Sequence, residues 1–94
     1  MLLHSLKVFL SVAIEKSFSR AAEKMNRTQP AVSLAVQRLE TELGEKLIDR
    51  SAKDLLLTDA GRIVVDFARR FENLESDMQN ALAELRDNSA GRLI

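Results

Sequence analysis

Apolar spacing in this sequence predicts a mainly α chain: three short helices, a small two-stranded hairpin and one long helix at the C-terminal end. Three observations predict it. Residues 28–43, TQPAVSLAVQRLETEL, join a helix start to a one-sided apolar stripe. A shorter helix over 20–26 ends immediately before that start, so the two are joined by a tight turn. Residues 64–85 then carry apolar side chains at alternating steps of three and four, the seam of a helix that packs along a partner.

The first helix is expected over 3–16. Leu6, Phe9, Leu10 and Ala13 recur at helical spacing, with Lys7, Ser11 and Glu15 elsewhere on the wheel. Ser17, Phe18 and Ser19 interrupt it. Ser19 is the expected cap of the second helix, and Phe18 the apolar plug that precedes a cap. Ala21, Ala22 and Met25 face inward, and the paired alanines predict close approach of another helix.

Thr28 is the expected cap of the third helix, and Pro30 sits where its missing N–H is not needed. Val32, Val36, Leu39 and Leu43 form the core face. The opposite face carries Gln29, Ser33, Leu34, Gln37 and Arg38. It is short, mostly uncharged and rich in hydrogen-bonding groups, as a face that meets base edges in a major groove must be. Two helices joined this tightly, the second with a polar outer face, form a helix-turn-helix.

Gly44 is the expected left-handed residue that ends the third helix. Residues 46–50 and 55–58, around 51–54, predict a hairpin, a wing beside the helical unit. Arg50 and Lys53 lie at or near its tip, in reach of phosphate or the minor groove. Thr58 caps the long helix, which is expected to run to about residue 87, and Asp59 meets its dipole favourably. Gly61 costs helix propensity and so predicts close backbone packing. Val64, Phe67, Phe71, Leu74, Met78, Ala81 and Leu85 make a heptad seam longer than a three-helix core can cover. A second copy of the chain is the simplest partner for it. The expected division is a winged helix-turn-helix over 1–58, a dimerisation helix over 59–88, and the start of a further domain over 89–94.

Composition narrows the function. An apolar fraction of 46% supports one small core. The absence of Cys excludes disulfides and zinc fingers, and the single His4 cannot hold a metal alone. No apolar run reaches membrane-spanning length, and the cytoplasm is the expected location. Net charge is zero, yet within 16–38 Lys16, Arg20, Lys24, Arg27 and Arg38 face one carboxylate, Glu23. Phosphate contact needs such a local positive face, not a basic chain. Catalysis is not expected. There is no glycine-rich phosphate loop, Ser33 has no His to activate it, and Glu40 and Glu42 read as solvated surface charge.

Four segments carry a family resemblance: FLSVAIEKSFSRAAEKM over 9–25, TQPAVS over 28–33, RLETELGEKLIDR over 38–50 and LTDAG over 57–61. Together, in order and spacing, they closely resemble the N-terminal DNA-binding region of LysR-type bacterial transcriptional regulators. The resemblance implies a winged helix-turn-helix followed by a linker helix that pairs two subunits, antiparallel. It implies transcription regulation by sequence-specific binding of double-stranded promoter DNA with imperfect dyad symmetry, as a homodimer, with tetramers at full length. It points to the same short segment for base reading as the residue chemistry does: Gln29, Pro30, Ala31, Ser33 and Leu34. Arg27, Thr28, Gln37, Arg38, Arg50 and Lys53 are the candidates for the DNA backbone or minor groove. No cofactor is expected in these residues. A small-molecule or ion effector and contact with RNA polymerase are implied for a C-terminal effector-binding domain, the opening of which GRLI over 91–94 looks like.

The chain departs from the family pattern at three places. Ile48 stands where Phe is usual, Asp54 and Leu55 lie in a wing that is often more basic, and Leu34 is more apolar than usual. The alternative reading is a dimerisation or adaptor module without specific DNA binding. It accounts for the seam but not for the tight two-helix unit with its polar face. RNA binding is weaker still, since few aromatics are present to stack bases.

Overall fold

The structure, a computed structural model, describes residues 2–51 and 53–91. Its elements run α1 (Leu2–Glu15), α2 (Phe18–Lys24), α3 (Gln29–Leu43), β1 (Ile48–Asp49), β2 (Leu56–Leu57) and α4 (Asp59–Gly91). The chain is mainly α, as its spacing predicts. Residues 92–94, half of the segment assigned to a further domain, lie outside the described residues.

α1 packs on each of the other three helices. It therefore buries more than one stripe: Val8 and Val12 are fully enclosed alongside Leu6, Phe9 and Leu10. Val32, Val36 and Leu39 of α3 and Leu47 before β1 complete the centre. Each such side chain contributes about 1.5–3 kcal/mol by leaving water. Ala21 and Ala22 are buried where α2 nests between α1 and α3, which is the close approach their small size permits.

Two local expectations change. The cap of α2 is Ser17, not Ser19. Lys16 adopts a left-handed φ of 55°, which ends α1 and leaves Ser17 extended. The Ser17 hydroxyl accepts the Arg20 N–H at 3.1 Å. Ser19 consequently falls inside the helix. Leu43, placed on the core face of α3 by its spacing, is 40% exposed, because the helix has run past the core by its last turn. Gly44 does end α3 in the left-handed region, at φ 69°, and its N–H reaches the Glu40 carbonyl.

The wing is a minimal antiparallel pair, Ile48 opposite Leu57 and Asp49 opposite Leu56. Thr58 fastens it to α4. Its hydroxyl donates to the Lys46 carbonyl at 2.6 Å and accepts the Gly61 N–H at 2.9 Å, while its own N–H reaches the Leu47 carbonyl. A Cβ on Gly61 would stand 2.1 Å from the Leu47 oxygen, so only glycine lets the helix start lie against this strand.

The near part of α4 belongs to the core through buried Ala68 and half-buried Val64 and Val65. Lys7 of α1 meets Glu75 at 2.7 Å further along. Beyond that point the helix projects, giving extents of 61 × 24 × 20 Å. It continues to Gly91, past the expected end near residue 87. Among the described residues no helix is long and apolar enough to cross a membrane.

Of the expected seam positions, Val64 turns partly to the domain's own core, while Ala81 is exposed on the projecting helix. The large exposed apolar side chains of α4 are Ile63, Phe67, Phe71, Leu74, Met78, Leu82 and Leu85. These still form one stripe, shifted slightly around the helix because the core claims the 64–65–68 side.

Candidate nucleic-acid interface

The first turn of α3 is built by its cap and by the turn before it. Asn26 takes a left-handed φ of 56°, a conformation that Asn tolerates better than most residues. The Arg27 N–H then reaches back to the Ala22 carbonyl at 2.8 Å. Thr28 is extended, and its hydroxyl accepts the Ala31 N–H at 3.3 Å. Pro30 occupies the first turn, where it disrupts no helical hydrogen bond.

This geometry presents Gln29, Pro30 and Ala31 to solvent at the helix tip. Ser33 is half-buried one turn on, and Leu34, Gln37 and Arg38 are exposed beyond it. The five base-reading candidates thus lie together over the first two turns. Arg27 is exposed in the turn, and Lys53 is exposed on the wing. Thr28 is also exposed, but its hydroxyl oxygen already holds the Ala31 N–H. The Gln29 side chain is engaged as well: its Oε1 accepts a hydrogen bond from the Ser19 hydroxyl of α2 at 3.1 Å.

Arg50 is placed by two contacts. Its guanidinium lies over the Phe18 ring, 5.2 Å from the centroid, and stands 4.0 Å from Glu40 Oε1. A wing residue is thereby tied to α2 and α3 while 44% of its side chain stays exposed. Glu40 itself is not the solvated charge its residue type suggests. It is 4% exposed, and its Oε2 accepts the N–H groups of Leu47 at 2.8 Å and Ile48 at 3.4 Å. Its position was legible: Glu40 follows Val32 and Val36 at steps of four, on the buried face of α3. Residue type masked what spacing indicated.

The comparisons with known proteins agree with this geometry. A family model described as the bacterial regulatory helix-turn-helix protein, lysR family, matches residues 3–62. The chain belongs to this family. It is similar to the RuBisCO operon transcriptional regulator of Allochromatium vinosum, 41% identical over 91 residues, covering 97% of this chain and 30% of that protein. It is 44% identical over 82 residues to the HTH-type transcriptional regulator YfeR of Shigella flexneri, covering 87% of this chain and 26% of that one. The chain thus spans less than a third of the length of these relatives.

Among solved structures, a BenM DNA-binding domain in complex with catB site 1 DNA matches with a TM-score of 0.87 and 30% identity, covering 92% of this chain and 97% of that one. Vibrio fischeri DarR in complex with DNA matches at 0.84 and 34% identity, covering 93% of this chain and 30% of that one. The four helices and two-stranded sheet are therefore a LysR-type winged helix DNA-binding domain with its linker helix. The family and its members are transcriptional regulators, not enzymes.

Proposed function

We propose that this LysR-type domain binds double-stranded DNA sequence-specifically as a homodimer, in the cytoplasm. The first turn of α3 enters the major groove with Gln29, Pro30, Ala31, Ser33 and Leu34 toward the base edges. Arg27, Thr28, Gln37, Arg38, Arg50 and Lys53 serve the backbone or minor groove. The exposed stripe of α4 pairs two copies. Promoter sites with imperfect dyad symmetry, an effector bound elsewhere in a longer protein, tetramers and contact with RNA polymerase belong to the same reading and rest on the family alone.

The observation that carries this reading is the α3 tip. It stands clear of the core, is built of small and hydrogen-bonding side chains, and belongs to a fold matching proteins solved on DNA. Base edges are read by such groups, and phosphates by the cations around them. A duplex titration over a range of salt tests it. Wild-type affinity should fall steeply with salt, and Arg38→Gln should weaken all sequences alike while lowering the salt slope by about one. Absence of a complex at every salt concentration would favour the adaptor reading instead.

A further inference from the structure

We infer that Ser19 is a positioning residue for base readout, holding Gln29 in the orientation in which it meets a purine. This rests on the assignment of Gln29 as a base reader. The starting point is the division of labour between two serines. Ser17 does the capping of α2, accepting the Arg20 N–H. The Ser19 hydroxyl is therefore free of that task, and it donates across the turn to Gln29 Oε1 at 3.1 Å. The bond joins the first turn of α2 to the first turn of α3, ten residues apart in sequence.

The consequence follows from amide chemistry. An exposed Gln side chain rotates about three bonds and can present either end of its amide to a base. Holding Oε1 against Ser19 removes most of that freedom before DNA arrives. It does so without consuming what readout needs. The second lone pair of Oε1 and both Nε2 hydrogens remain available. Those are the acceptor and donor that pair with N6 and N7 of adenine. Because the hydroxyl can equally accept from Nε2, the bond fixes where the amide of Gln29 sits and which way its side chain runs, not which amide end lies against Ser19. The base class assigned to this position is adenine, read on its major-groove edge.

The test uses the full chain and a duplex chosen by selection from a random pool. Affinities are measured for that duplex and for variants at each base pair, with wild type, Ser19→Ala, Ser19→Thr, Gln29→Ala and the Ser19→Ala/Gln29→Ala double variant. Ser19 is exposed, and thermal melts monitor folding of every variant. Ser19→Ala should lower discrimination about two- to tenfold at the base pair that Gln29→Ala affects, the range of one net hydrogen bond. Other base pairs and the salt slope should not change. Ser19→Thr should retain discrimination, and the double variant should lose no more than Gln29→Ala alone. If Ser19→Ala instead weakens all duplexes equally, also in the Gln29→Ala background, Ser19 touches phosphate and the inference is overturned. Unchanged discrimination with Ser19→Ala, where Gln29→Ala does change it, overturns the Ser19 role alone. If Gln29→Ala alters no base preference, the base-reading assignment fails, and the Ser19 role fails with it.

Discussion

Glu40 holds the buried N–H groups of Leu47 and Ile48, the two residues that lead into the wing. Glu40→Ala leaves both donors without that partner, and an unsatisfied buried donor costs about 1–3 kcal/mol. Glu40→Gln keeps an acceptor oxygen and should recover a large part of the loss. Urea denaturation followed by circular dichroism measures both, and equal stability of wild type and Glu40→Ala would contradict the role given to this carboxylate. Glu40 also shows where residue-scale reading of a sequence breaks down. Its periodicity places it on the core face, but a carboxylate is buried only where specific donors await it, and those come from residues seven and eight positions away. The serines before α2 pose a similar problem. Both Ser17 and Ser19 have capping chemistry, and the choice depends on Lys16 turning left-handed, which no side-chain pattern encodes. Gly61 was legible, because a glycine inside a helix signals a close neighbour, and the Leu47 carbonyl is that neighbour.

At the scale of the element, α4 carries two jobs on one helix. Its first turns complete the core through Val64, Val65 and Ala68, and its exposed stripe runs from Ile63 to Leu85. Steps along that stripe are four, four, three, four, four and three, an eleven-residue repeat. Such a repeat, at about 3.67 residues per turn, departs from the helical 3.6 in the opposite sense to a heptad and favours a right-handed rather than a left-handed supercoil. The heptad spacing includes Val64 because spacing alone cannot say how far the domain's own core reaches along the helix. Phe71 lies mid-stripe and is exposed in the single chain. Phe71→Asp should thus leave the fold intact and remove pairing, since a carboxylate buried against a second copy is costly without a partner charge. Sedimentation should give a dimer for wild type and a monomer for the variant, with unchanged circular dichroism. A monomeric wild type at tens of micromolar would contradict the pairing role of α4.

For the whole molecule, the stripe and the α3 tip belong to separate parts of one body. The head is small and closed, while α4 extends from it and accounts for most of the 61 Å length. Lys7 and Glu75 bridge the two, an exposed pair that adds up to about 1 kcal/mol. On the proposed pairing through α4, the helix would set where two heads stand relative to each other, and two heads would read two half-sites related by the dimer's symmetry. Selection of bound duplexes from a random pool tests this account most directly. Wild type should enrich two related half-sites at fixed spacing, and Gln29→Ala should lose preference at one base pair in each, worth about 1–3 kcal/mol of discrimination. Enrichment of a lone half-site, of no motif, or of identical motifs from both proteins would contradict it.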